Sequence, residues 1–296
     1  MKKKALVGIG ILLITVLAVL LKLLPNQIGD YLFDIFIVVM MLVSSIEMYN
    51  LKVKTNKNPY KILTFCYPIF YYILALIILR FNLPLYLCFL VEFIGLGAYL
   101  VITLIVCVVA KEKNVIKTGF DTLETCVYPS FLIGLFVFIN HSSLLAGVPY
   151  FSFIFAILIF IVAMMTDTFA MLIGVAIKGK KLAPSISPNK TYSGAIGGLL
   201  GGTLGAISLY GICCAVPSLI SVLNFYNFKV YTFALIGLIG SIIGQAGDLY
   251  ESYLKRRAGV KDAGNFFPGH GGMLDRVDAL TFVVAFMFVC LTIILV

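Results

Sequence analysis

Charged residues are scarce in this chain: they make up 12% of it against 61% hydrophobic residues, and no stretch is polar enough to form a separate soluble domain. Soluble domains carry roughly 25% charged and 45–50% apolar residues, so a water-soluble fold is excluded. The seven cysteines (Cys66, Cys88, Cys107, Cys126, Cys213, Cys214 and Cys290) all lie in apolar runs, without CxxC pairs or Cys/His ligand spacing. They read as buried packing residues, and neither a zinc site nor a redox motif is expected. A repeat of fixed period and a low-complexity linker are also missing.

What the chain does have is a succession of apolar runs. A spanning helix needs about 20 such residues. Runs of that kind lie near 5–24, 31–49, 60–80, 85–110, 119–140, 149–177, 193–222, 230–250 and 278–296. The expected fold is all-α: a polytopic transmembrane bundle of about nine spans, forming one membrane domain over 1–296. Residues 1–140 supply N-terminal spans, and 149–296 supply the spans and loops that carry chemistry. The run 5–24 reads as a first span rather than a signal peptide, being too long for an h-region and lacking a small-residue cleavage site. The runs 149–177 and 193–222 exceed a straight span and are expected to tilt, break or carry an interfacial turn.

The net charge of +9 sits in short loops beside spans, without the interleaved aromatics of a nucleic-acid surface. Topology accounts for it. With a cytoplasmic N-terminus, only Lys22, Arg80 and Lys229 of the 22 basic residues fall on the far side. The loop 140–148 has no Lys or Arg, and His141 there reads as a solvated residue. Glu47, Glu92 and Glu124 lie near or within spans, with no assignable place relative to a site.

The unusual chemistry is concentrated in two polar segments of the second half. In the first, Asp248, Ser252 and Lys255 fall at i, i+4 and i+7, on one helical face. Asp275 and Asp278 follow at i, i+3. Three carboxylates interleaved with Lys255, Arg256, Arg257, Lys261 and Arg276 suit a metal–polyphosphate site: hard oxygens for Mg²⁺, cations for the remaining phosphate oxygens. Gly271 and Gly272 allow backbone N–H groups to approach phosphate, and His270 is placed to donate to phosphate or move a proton. Acidic residues also complement a helix N-terminus, and basic ones set topology. Three carboxylates bracketing one Gly-rich turn exceed what capping needs.

The second segment begins at Asp167, an ionisable group inside an apolar run and therefore a functional candidate, with packing specificity as the alternative. It continues through a basic loop, 178–191, where Pro184 and Pro188 stiffen the backbone; it reads either as presenting Ser187, Lys190 and Thr191 to a nucleotide or as a plain basic loop. The glycines from Gly194 to Gly205 read as a close helix-packing face.

The run Ser252-x-Leu254-Lys255-Arg256, then Lys261-Asp262-x-Gly264-x-x-Phe267-Pro268-x-His270-Gly271-Gly272-Met273-x-Asp275-Arg276-Val277-Asp278, resembles the signature of the phosphatidate cytidylyltransferase (CDP-diacylglycerol synthase) family at every fixed position. The resemblance reaches back through Gly244-Gln245-x-Gly247-Asp248-Leu249 and Ile186-Ser187-Pro188-x-Lys190-Thr191 to Asp167, roughly the C-terminal half. It implies that CTP and phosphatidic acid give CDP-diacylglycerol and pyrophosphate, with Mg²⁺ or another divalent cation held by Asp248 and Asp275 and with Asp278 nearby. Lys255, Lys261 and His270 would join these in catalysis. Ser187, Lys190, Thr191, Ser252, Arg256, Asp262, Gly271, Gly272 and Arg276 would contact the substrates.

On this reading the carboxylates of two consecutive spans meet across one cytoplasmic turn, in a bacterial inner-membrane protein. Its partners are CTP, phosphatidic acid and membrane lipids, with no nucleic acid, and a homodimer is left open. Two positions depart from the family pattern: Met171 stands where Tyr is usual, and Ser193 where Glu is usual. The competing readings are a CTP-dependent lipid (polyprenol-type) kinase and a non-catalytic lipid-binding or transport paralogue.

Overall fold

The computed structural model describes every residue except Met1, Pro25, Asn26, Pro268 and His270, and for Lys2–Val7 the backbone alone. Its helices are α1 (Lys2–Leu21), α2 (Ile28–Lys54), α3 (Lys61–Leu79), α4 (Leu85–Val109), α5 (Val115–Thr125), α6 (Leu132–Asn140), α7 (Ser142–Ala146), α8 (Phe151–Ile177), α9 (Tyr192–Ala215), α10 (Pro217–Phe225), α11 (Val230–Arg257) and α12 (Leu274–Ile294). A two-stranded antiparallel hairpin, β1 (Lys181–Ala183) and β2 (Ser187–Thr191), joins α8 to α9.

Among the described residues, eight helical segments are long and apolar enough to cross a membrane, counting Val115–Asn140 as one. The chain is an integral membrane protein of all-helical class, as its composition required. The expected ninth span coincides with α1, whose described apolar stretch, Gly8–Leu21, is shorter than the others. The run near 119–140 is kinked: Tyr128 leaves helical values (φ −117°, ψ 121°), and Pro129 beside it has no N–H to give the helix. The run near 193–222 breaks as expected, with Pro217 opening α10. The run near 149–177 stays one helix of 27 residues.

The chain forms two units. The first comprises residues 1–141, 254–277 and 291–296. Within it α2 packs against α1, α3, α5 and α6. It buries Phe33, Ile37, Met40, Met41 and Met48, which share one helical face. The same face carries Asp34, Ser44, Ser45 and Glu47, polar groups that need partners when buried.

Asp34 has three partners. Asn140 Nδ2 donates to its Oδ1 at 2.8 Å, His141 Nε2 lies 2.8 Å from its Oδ2, and the Tyr72 hydroxyl donates to Oδ2 at 3.2 Å. Lys22 Nζ pairs with Asp30 at 2.5 Å and donates to Asn140. Burial pushes the Lys22 ammonium below its ordinary pKa, while Asp30 pulls the other way. His141 is therefore not the solvated residue its loop suggested: it is 2% exposed, held inward by a carboxylate that has lost its water. The cysteines divide too, four buried but Cys66 and Cys214 exposed, because an apolar run in lipid has an outer face as well as an inner one.

The second unit comprises residues 142–253 and 278–290. Its main contact is between α8 and α9, made through the glycine face, whose six members are all buried. A Cβ at Gly201 would overlap Phe169, and one at Gly202 would overlap Ser241, so the backbones approach more closely than side chains would allow. Thr166 donates to the Ser241 hydroxyl at 2.8 Å, and Gln245 Nε2 to the Ala195 carbonyl at 3.2 Å.

Candidate active site

The 178–191 segment, expected as a stiffened loop, is the β1–β2 hairpin. Its turn is Ala183-Pro184-Ser185-Ile186, with the Ile186 N–H donating to the Ala183 carbonyl at 3.1 Å. Proline fixes φ at the second position of such a turn, which is where Pro184 stands. At the end of β2, the Thr191 hydroxyl accepts from the Gly194 N–H at 3.0 Å and caps α9. Ser193, at the position where a carboxylate was expected, donates to the Lys178 carbonyl and ties the two ends of the hairpin segment together.

The hairpin helps to enclose a cavity of about 810 Å³ within the second unit. Asp167, Lys178, Lys181, Lys190, Gln245 and Asp248 are among its polar lining, and Met171 and Val175 among its apolar lining. Lys190 Nζ lies 2.6 Å from Asp248 Oδ2, both side chains being about a quarter exposed. Asp167 opens onto this cavity from α8, so the intramembrane carboxylate singled out by sequence does face a space able to hold a ligand. The Ser252 hydroxyl lies 3.4 Å from Asp248 Oδ1, one helical turn away.

Asp278 is 9% exposed, and the charges acting on it are those of Asp248, Glu251 and Asp167, in that order. Asp278 and Glu251 are buried, Asp248 is about a quarter exposed and Asp167 is exposed, and carboxylates whose charges act on one another in this way favour a cation among them. Among the described residues, no three His, Cys, Asp or Glu side chains converge on one point. Mg²⁺ commonly takes one or two carboxylates and completes its shell with substrate phosphates and water. This donor set fits a hard divalent cation that arrives with a polyphosphate.

In the first unit, Asp275 has both oxygens engaged. Lys255 Nζ donates to Oδ1 at 2.7 Å, and the N–H groups of Gly272 and Ala263 donate to Oδ2 at 2.7 and 2.9 Å. Gly271 adopts φ +83°, a backbone that glycine alone takes readily, and its carbonyl accepts from the Phe267 N–H at 2.9 Å. Arg256, Lys261, Asp262 and Arg276 are exposed, Arg256 donating to the Val260 carbonyl at 3.1 Å. Ser187 is half-buried in β2. His270 lies outside the described residues.

Glu47 was left unplaced by sequence. It accepts from the Met273 N–H at 3.1 Å and from the Leu274 N–H at 2.7 Å, at the start of α12. A pairing between residues 226 apart has no local signal; only an acidic residue on an otherwise apolar helix pointed to it.

Comparison with known proteins follows the same lines. The sequence profile of the cytidylyltransferase family matches residues 2–294. A phosphatidate cytidylyltransferase of Brucella abortus is 42% identical over 146 residues, 49% of this chain and 50% of its own. Those of Rickettsia felis and Staphylococcus aureus are 40% and 42% identical over 131 and 134 residues, which is 44% and 45% of this chain and 56% and 46% of their own. The aligned region thus spans about half the length of these curated relatives.

Proposed function

The chain belongs to the cytidylyltransferase family, and from that premise we propose that it transfers the cytidylyl group of CTP to phosphatidic acid, giving CDP-diacylglycerol and pyrophosphate. The observation that carries this reading is the cavity of the second unit, where two carboxylates, three lysines and apolar side chains line one space. A triphosphate needs such cations, and a lipid-linked acceptor needs an apolar side to its binding space.

A phosphate oxygen of phosphatidate attacks the α-phosphorus of CTP. The bond from that phosphorus to the oxygen bridging to the β-phosphate breaks, and pyrophosphate leaves with the electron pair. The attacking group is already ionised near neutral pH, so no strong base is required. Lys178, Lys181 and Lys190 bind the triphosphate, and Ser187 and Thr191 position the nucleotide. Ser252 orients Asp248. A divalent cation, Mg²⁺ or an ion like it, when bound supplies neutralisation of the phosphate charge. Asp248 and Asp278 would hold it in the second unit, and the resemblance adds Asp275 as a further candidate ligand.

Lys255, Arg256, Lys261 and Arg276 hold outer phosphate oxygens. Asp262, Gly271, Gly272 and His270 complete the substrate contacts. The whole chain acts as one membrane domain, with its N-terminus and active site on the cytoplasmic face of a bacterial inner membrane. The distribution of basic residues supports that orientation.

Product analysis tests the proposal. Purified protein given phosphatidate and CTP labelled at the α-phosphorus is expected to put the label in lipid and release pyrophosphate in equal amount. Phosphorylated lipid with free CDP would identify a lipid kinase instead, and no turnover would favour a binding or transport protein. Either result overturns the reading.

A further inference from the structure

We propose that Glu47 is a positioning residue: its carboxylate anchors the chain at Gly264 and at Gly272–Leu274, and it thereby sets where Asp275 stands. The link to turnover rests on the function proposed above. Glu47 is 5% exposed on α2, in the half of the chain that carries none of the signature.

The geometry goes beyond an ordinary helix cap. Each Glu47 oxygen takes one backbone N–H, Oε1 that of Met273 and Oε2 that of Leu274. These are donors that a helix starting at Leu274 cannot satisfy within itself. The preceding N–H, of Gly272, goes to Asp275 Oδ2. Three consecutive amides are therefore divided between two carboxylates, one from α2 and one from α12. Both glycines nearest to Glu47 are fitted to it as well: a Cβ at Gly264 or at Gly272 would overlap its carboxylate. This chain passes against Glu47 at both glycines, where a side chain would not fit, and a displaced Glu47 would release both.

Asp275 cannot keep its own bonds if this anchor moves. Its Oδ2 is held by Gly272 and by Ala263, a neighbour of Gly264, so the two residues that touch Glu47 flank or form the bonds that fix Asp275. Among the described residues, its Oδ1 would retain only Lys255.

The experiment compares Glu47→Ala, Glu47→Gln and Gly264→Ala with the parent. Three quantities are read: hydrogen–deuterium exchange of the peptide containing Met273 and Leu274, the thermal unfolding midpoint, and kcat and KM for CTP. Glu47→Ala is expected to speed exchange of that peptide and to lower kcat at least about tenfold, with KM for CTP within about twofold of the parent. Glu47→Gln, whose amide oxygen still accepts an N–H, should recover part of kcat. Gly264→Ala, which pushes on the carboxylate without removing it, should show the same pattern and decides the matter if Glu47→Ala does not fold.

Unchanged exchange in the folded variants would overturn the anchor. A lowered midpoint with unchanged kcat would reduce Glu47 to a structural residue and overturn the positioning role. An inactive parent would instead sink the proposed function, while the exchange measurement would still decide whether Glu47 anchors the segment.

Discussion

Lys190 Nζ and Asp248 Oδ2 are 2.6 Å apart, a pairing between the end of the β-hairpin and the long helix α11 inside the second unit. Both side chains line the same cavity. The pair gives Asp248 a cation before any ligand arrives, and a metal–nucleotide complex would offer each partner a replacement: a divalent ion for the carboxylate, phosphate oxygens for the ammonium.

Removing the lysine should therefore weaken nucleotide binding more than it slows the chemical step. Lys190→Met is expected to raise KM for CTP about tenfold or more, a loss of one charge-assisted bond of roughly 1.5–3 kcal/mol. Steady-state kinetics at saturating phosphatidate would check this. A KM equal to that of the parent would remove Lys190 from the nucleotide site.

The network around Asp34 makes the opposite prediction, stability without catalysis. Asp34→Ala leaves buried Asn140 and His141 and half-buried Tyr72 without their common acceptor. A loss of about 1–3 kcal/mol is expected for each buried polar group left unsatisfied. Thermal unfolding in detergent would show it as a large drop in midpoint, while KM for CTP in the folded fraction stays unchanged.

The glycine face permits a paired comparison. Gly201→Ala should drive α8 from α9 against Phe169 and cost about 1–3 kcal/mol. Gly211, farther along the same helix, has open space where a Cβ would stand. Gly211→Ala should be neutral, or stabilising by up to about 1 kcal/mol through helix propensity. Equal effects at the two positions would contradict the close-packing account.

Lys57 carries a pH signature. Its hydrogen bond to Asp121, at 3.1 Å, raises its pKa above the ordinary lysine value. A folded pKa above the unfolded one means that the pair's stabilisation is complete below the unfolded lysine pKa, about 10.4, and is lost as pH rises through the folded value. The side chain is 36% exposed, so the contribution is screened and below about 1 kcal/mol. Unfolding midpoints of the parent and Lys57→Ala should differ slightly at pH 8 and converge at strongly alkaline pH. A gap that widens there would assign the effect to other groups.

The helical class, the positions of the spans and the glycine face were legible in the sequence because lipid imposes a strong pattern: long apolar runs, and small residues where helices meet. The break at Pro217 was legible for the same reason. The cavity was legible only as its parts. Asp167, Lys190 and Asp248 stand 58 to 81 positions apart at the widest spacings, and nothing local shows that they line one space.

Glu47 and His141 were misjudged or left aside because their partners are distant in the chain, and burial is set by those partners rather than by neighbours. Asp275 teaches a related point. Its signature position suggests a metal ligand, yet its oxygens accept from Lys255 and from two backbone amides. A substitution there disturbs the segment 263–275 whatever its chemical role, which makes it a poor first probe of catalysis.

Asp248 is the better probe, since its partners are side chains and it faces the cavity. The most direct measurement compares Asp248→Asn with the parent in cytidylyl transfer from CTP to phosphatidate, with thermal unfolding run on both. Turnover is expected to fall by about 10²–10³-fold or more, as when one preorganised charge is removed from a transition state, at an unchanged unfolding midpoint. Undiminished transfer by the folded variant would contradict the assignment of this cavity as the seat of the reaction.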